Sequence, residues 1–265
     1  MPLKWPSLVM KEYEHWFSEK EGNRRCLNAA RLNSSLNLKG DARFIENMPP
    51  CFLVGNVGES KTMLLSLNPG YKGERGKKEY EVFDSLGWKK AYLTFFDWFF
   101  EKGLSSPYYS RFAVFLSGYL GLDSFPPHRK ERFELLGKNL INVDLIPYHS
   151  VSFKNSSGLL TKEKPLLESY VENLKELIGL ANPNVIFING AIFKDLLTSL
   201  GVVEKKTLKF VVNKRLDRSL VVYLGHMQIG DKKIKTIRFA NFITSKSLAA
   251  TNDCLFDAGF KLASE

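Results

Sequence analysis

Apolar positions recur along this chain in two periods, one near 3.6 residues and one in short continuous runs. From Leu8 to about Leu36 the spacing is helical, with Trp16 and Phe17 on an apolar face. The paired prolines of NMPPCFLVGN exclude a helix there and mark an irregular entry segment. A buried strand over 62–67 follows, and it stops abruptly at Asn68-Pro69-Gly70. GWKKAYLTFFDWFFEKG has helical length and six closely spaced aromatics from Tyr92 to Phe100, the pattern of a core helix rather than of a base-stacking platform. A second helix is expected over 108–120. NLINVDLIP reads as a buried strand ended by Pro147, and Thr161 as the N-cap of a long helix to about Leu180 with Glu163 in its first turn. NVIFING is another short apolar strand, leading into a helix over 191–200. LKFVVN, SLVVYLG and IKTIRFANF then predict successive strands with Gly230-Asp231 in a turn, and a last helix begins near Ser247.

Strands separated by helix-length segments predict an α/β fold. The expected form is a three-layer αβα arrangement around a mainly parallel central sheet, covered on both faces. With no internal repeat and no long linker, residues 1–265 are expected to form a single domain, the first 50 or so being a helical extension packed on it. Ligands of such sheets bind beyond the carboxyl ends of the strands. Attention therefore falls on Asn68-Pro69-Gly70, on Asn142 to Ser150, on Asn189-Gly190 and on Asn241 to Ser247.

Composition narrows the function classes. Hydrophobic residues make up 44% and charged residues 25%, an ordinary globular balance. No apolar run reaches the roughly 18 residues of a membrane span. MPLKWPSLVMKEYEHW has no signal-like apolar core, which makes the cytoplasm the default address. Cys26, Cys51 and Cys254 are too scattered for a zinc site or a disulfide framework, and neither is expected. GxGxxG and GxxxxGK[ST] are both absent, which argues against dinucleotide and Walker-type sites. Thirty-eight Lys and Arg against 28 Asp and Glu leave a net charge of +10. Such an excess favours a polyanionic partner. The cations cluster at 72–78, 129–132, 205–209 and 232–238.

LNPG at a strand's carboxyl end resembles the first active-site motif of the uracil-DNA glycosylase superfamily, in its asparagine form. NLINVDLIPYHS resembles that superfamily's second pocket strand, and NVIFING the core strand that follows. The resemblance covers about Leu53 to Ala250. It implies a monomeric, cofactor-independent enzyme that flips a nucleotide out of DNA and hydrolyses its base–sugar bond. Asn68 would position the attacking water, lacking the charge by which an aspartate would also stabilise a cationic sugar. Pro69 shapes the turn. Gly70 stands where the uracil-specific branch has a tyrosine that excludes 5-substituents, so a 5-substituted pyrimidine is implied, even a bulky hypermodified one of the kind excised in anti-phage defence. Tyr71 could restore part of that wall. Asn142 would read the base edge, with Asp144 as competitor for that role, and His149 could donate to the departing base. Tyr71, Phe83 and Tyr148 are all open as the ring that stacks on the base.

The superfamily's second motif, a His-Pro-Ser loop, is missing. RFANFITSKSLAATND stands in its place, where Thr244, Ser245, Lys246 and Ser247, with Lys72 from the first loop, could grip phosphates. That departure puts plain uracil excision in doubt, though a uracil or mismatch DNA glycosylase stays as an alternative, beside a non-catalytic nucleic-acid-binding module and a hydrolase of free nucleotides. A further alternative makes Asn-Pro-Gly a strand-ending turn without chemistry.

Overall fold

The computed structural model describes residues 4–265 apart from Glu21, Lys154, Ala191, Thr244 and Lys246, and leaves out the side chains of Glu74, Arg75 and Ser156. Its strands are Leu53–Val54 (β1), Thr62–Ser66 (β2), Leu140–Asp144 (β3), Val185–Ile188 (β4), Val202–Asn213 (β5), Arg218–Ile229 (β6) and Lys232–Phe239 (β7). They form one sheet in the order β1-β3-β2-β4-β7-β6-β5. The helices are Ser7–Ser18 (α1), Leu27–Ser35 (α2), Gly73–Leu86 (α3), Trp88–Leu93 (α4), Phe95–Glu101 (α5), Pro107–Tyr119 (α6), Arg129–Asn139 (α7), Ser156–Lys162 (α8), Lys164–Ala181 (α9), Ile192–Leu196 (α10) and Asn252–Ala263 (α11).

The four middle strands β3, β2, β4 and β7 are parallel, while β1 at one side and β6 and β5 at the other are antiparallel. The sheet is therefore mixed, with its parallel part in the centre. Short turns cause the change of direction: Gly230-Asp231 joins β6 to β7, and a tight turn cannot connect parallel neighbours. Every residue of β2, β3 and β4 is buried. Helices thus cover both faces of the centre, compatible with three αβα layers.

Several helix boundaries differ from the sequence expectation, each for a local reason. The first helical stretch is two helices, α1 and α2, interrupted over 19–26. The aromatic helix is likewise two, because the Thr94 hydroxyl bonds Lys90 O at 2.9 Å and closes α4. Thr161 is no cap: it lies inside α8, whose cap is Asn155, accepting from Gly158 N. Pro165 starts α9 in its first turn, where a missing N–H is harmless, and Glu163 precedes that helix. The final helix begins at Asn252 rather than near Ser247, with Thr251 accepting from Cys254 N. Helices α3 and α7 were not expected at all, since their sequences are mostly charged.

The N-terminal helices join the main core. Tyr13 stacks on Trp88 at 4.1 Å and donates to Pro50 O at 2.6 Å. On the opposite side α6 crosses α11 at very close range. A Cβ on Gly118 would collide with the Phe256 carbonyl, and one on Gly259 with the Phe115 carbonyl. Because α6 begins beside the carboxyl edge of the sheet, this crossing fixes the backbone from which Tyr108 projects. Gly118→Ala and Gly259→Ala are each expected to lose about 1–3 kcal/mol in urea unfolding. Unchanged midpoints would mean that the two helices can separate without cost.

Candidate active site

Two strand-end segments are laced together at the carboxyl edge. Beyond β2 and β3, Leu145 N donates to Ser66 O (2.9 Å), Ile146 N to Leu67 O (2.8 Å), Ser150 N to Pro69 O (3.1 Å) and Tyr71 N to Ser150 O (2.8 Å). Pro69 cannot donate, so it belongs where only its carbonyl is needed. This lacing positions Asn68. Its Nδ2 faces Ser150 Oγ at 2.8 Å, Pro69 O at 3.0 Å and Tyr148 O at 3.2 Å. Backbone carbonyls only accept, so the amide nitrogen must face them and the orientation of the carboxamide is determined. The side chain's remaining polar atom is Oδ1, an acceptor.

Asn68 is half-buried and lines a cavity of about 350 Å³. That volume falls in the usual range for small-molecule sites, roughly 300–1,000 Å³. Leu67, Asn68, Asn189 and Gly190 are partly exposed lining residues at the ends of β2 and β4, and Gly70 is fully exposed. Met48, Phe83, Phe95, Trp98 and Phe153 supply much of the apolar wall.

A directional chain of hydrogen bonds crosses the polar wall. Asn189 Nδ2 donates to the Tyr108 hydroxyl (3.3 Å), which is 2.6 Å from Ser66 Oγ. Ser66 donates its one proton to Asn142 Oδ1 (3.0 Å), so Tyr108 must be the donor to Ser66. Asn142 Nδ2 then donates to Asp144 Oδ2 at 3.1 Å. Burial holds the Tyr108 phenol well above its ordinary range, and the Asp144 charge adds to the effect, while hydrogen bonds with Ser66 and Asn189 oppose it. Tyr108 therefore remains a protonated donor. Every donor in the relay points toward the Asp144 carboxylate. One acceptor site and one N–H of Asn142 are thereby engaged, and the other of each is left over.

Two ionisable groups share the cavity with this relay. His149 Nδ1 lies 3.8 Å from Glu79 Oε2, and both side chains are buried. Beneath them, Tyr148 turns its ring into the core. Its hydroxyl donates to Glu12 Oε1 (2.9 Å) and so accepts from Tyr170 (2.7 Å). Asn28 Nδ2 also donates to Glu12 Oε1, at 2.5 Å. Glu12 of α1 thus holds the residue whose carbonyl holds Asn68.

Of the residues singled out in the sequence, the structure gathers Asn68, Gly70, Asn142, Asp144 and His149 around one cavity. His149 is buried there, on the loop that follows β3. Tyr71 is elsewhere: its ring packs against Gly76 and lines a neighbouring cavity with Arg24 and Tyr80. Of the three candidate stacking rings only Phe83 faces the cavity, since Tyr148 is a core residue. Lys72 is exposed ahead of α3. Ser245 and Ser247 bond each other at 2.7 Å in the turn after β7, outside the cavity wall. Thr244 and Lys246 lie outside the described residues.

Sequence reasoning missed Ser66, Tyr108 and Glu79. Glu79 had a usable signal, since it precedes Val82 and Phe83 by three and four residues and so shares their buried helix face. Tyr108, in SSPYYS, had none. Among the described residues there is no His, Cys, Asp and Glu cluster able to hold a metal, and no helix long and apolar enough to cross a membrane. Neither models of known protein families nor curated proteins match the chain.

Burial raises the Glu12 pKa above its ordinary value, against the lowering effect of hydrogen bonds from Asn28 and Tyr148. A raised folded-state acid contributes stability that is complete below the ordinary glutamate range and is lost as pH rises through the raised value. Glu12→Gln keeps an acceptor for both donors. It should match wild type in acid and become relatively more stable as pH rises from about 4 to 7, followed by urea midpoints. A wild-type advantage that grows over that window would contradict the assignment.

Proposed function

We propose that this chain is a monofunctional DNA glycosylase with a uracil-DNA glycosylase-like fold. It hydrolyses the N-glycosidic bond of a flipped-out, 5-substituted pyrimidine and leaves an abasic site. The observation that carries the reading is Asn68, whose amide nitrogen is fixed by three acceptors and whose oxygen is left for a ligand at the mouth of a base-sized cavity. An amide oxygen takes no proton, but it orients one O–H of a water and so aims the lone pair at C1′. The water oxygen bonds to C1′ as the C1′–N bond breaks, and the bonding electrons leave with the base. The water then loses a proton and the base anion gains one. His149, beside Glu79, is the imidazole in the wall that can donate to the base.

Two features support a substituted base over uracil. The cavity of about 350 Å³ has room for roughly ten waters by liquid volume, more than a bare pyrimidine needs. At Gly70 a Cβ would meet nothing within 4 Å, so the mouth is open where a side chain could have closed it. Asn142 and Asp144 offer both a donor and an acceptor to the base edge. A second reading, a binding module of the same fold, is favoured by the lack of histidine in 241–247. Oligonucleotides carrying defined modified bases separate the two: alkali-labile sites and released base support the enzyme, and binding without either supports the module.

Asn68→Ala is expected to lower base release about 100-fold or more while DNA affinity is kept, measured by mass spectrometry of released base and by fluorescence anisotropy. Full activity in this variant refutes the mechanism. Gly70→Tyr fits without backbone strain and should disfavour bulky 5-substituents relative to unsubstituted bases in competition assays. Unchanged selectivity would remove Gly70 from the pocket's entrance.

A further inference from the structure

We infer that the turn of the β5–β6 hairpin, Lys214 to Arg218, is a cationic finger that grips the phosphate backbone of the nucleic acid presented to the cavity. The identity of the strand it holds rests on the glycosylase reading; the contact itself does not. Parallel pairing puts the carboxyl ends of β2, β4 and β7 on one edge, with Leu65 level with Ile188 and Ile188 level with Arg238. β6 runs the other way, and its Val222 lies opposite Phe239, the last residue of β7. β6 therefore extends past that edge by four residues, back to Arg218, with β5 alongside as far as Asn213. At about 3.4 Å per residue the overhang is roughly 14 Å. It occurs on the edge where Asn68 opens.

The finger has a firm base. Val212 and Leu220 are fully buried, Asn213 Nδ2 donates to Ala249 O at 2.6 Å, and Thr251 N donates to Val212 O at 3.0 Å. Asn213 Oδ1 also accepts from Leu216 N at 3.0 Å, which shapes the turn. These bonds tie it to the segment just after Ser245 and Ser247, whose hydroxyls suit the same phosphates.

Charge distinguishes this turn from other cations on the antiparallel strands β5 and β7. Arg238 is paired with Glu204 at 2.5 Å, Lys206 is paired with Glu265, and Lys232 donates to Asn182 Oδ1 at 2.5 Å. Lys214, Arg215 and Arg218 are exposed and make no ion pair among the described residues, with Asp217 the acid between them. Lysines along β5, such as Lys205 and Lys209, are explained by protection of an exposed edge strand. A turn needs no such protection. Planar guanidinium groups on the same sheet edge as a candidate base pocket match phosphodiester oxygens.

The test uses the full chain and fluorescein-labelled single-stranded and duplex DNA of ordinary bases, so that no excision is needed. Lys214→Gln/Arg215→Gln/Arg218→Gln should weaken binding about tenfold or more at low salt. It should also flatten the slope of log affinity against log salt by about 2–3, near 0.9 per lost duplex contact. Arg215→Gln alone should take about 1 from that slope, which covers the case of a poorly folding triple variant. Lys205→Gln/Lys209→Gln should change neither quantity appreciably. Unchanged affinity and slope in the tip variants overturn the inference. So does binding of wild type, but not the triple variant, to phosphatidylserine vesicles with DNA affinity unaltered. A tip effect on this DNA, combined with no base release from the oligonucleotides carrying defined modified bases, leaves the finger standing and defeats the glycosylase reading. Base release with an indifferent tip does the reverse.

Discussion

The site depends on one side-chain amide held by the backbone. Asn68 Nδ2 sits against two carbonyls and a serine hydroxyl, and those acceptors come from two segments that follow different strands. The bonds between 66–71 and 145–150 bring the acceptors together, so the orientation of Asn68 depends on tertiary structure and not on its own rotamer preference. A free asparagine would sample several positions, and each would aim its oxygen differently. Fixing the nitrogen in advance means that a ligand meets the oxygen already placed, with little ordering entropy left to lose.

The same logic runs through the wall. Buried polar groups are tolerable only when satisfied, and here they satisfy one another in series from Asn189 to Asp144. Because Ser66 has a single proton, reversing one link would require reversing its neighbours. The relay therefore fixes donors and acceptors along Asn142. The buried Glu12 extends this order into the core through Tyr148. Nothing in Glu12's position on an N-terminal helix would suggest a link to a site some 56 residues later in the chain, at Asn68.

The strands were legible because short apolar runs ended by Asn, Pro or Gly have few other uses, and β2, β3 and β4 lie close to where the pattern put them. Asn68, Gly70, Asn142, Asp144 and His149 were accessible for the same reason, since strand ends in such sheets converge. Tyr71 and Tyr148 misled because adjacency in sequence says little about direction: each is next to a cavity residue and points away from the cavity. Thr161 misled because a capping residue type was read without the effect of Pro165, four residues on. Tyr108 and Ser66 were hidden by long-range pairing, which no local window can show. The antiparallel half of the sheet was visible as strands, but its register, and with it the overhang of 213–218, was not.

The cavity and the finger follow from two kinds of connection within one sheet. Parallel strands must leave the sheet at their carboxyl ends to reach a crossover, so β2, β3 and β4 end nearly level and their departing segments surround a hollow. A hairpin has no such obligation. β5 and β6 pair with each other wherever they go, so the ladder can continue past the edge where the parallel strands stop. Its ladder is made within the pair up to Asn213 and Arg218, and the segment that leads into α11 ties to its base through Thr251 N on Val212 O and Asn213 Nδ2 on Ala249 O. An exposed cationic turn can thus be held firmly above the edge at no cost to the cavity floor. A chain with parallel strands throughout would have the hollow but no rigid arm beside it.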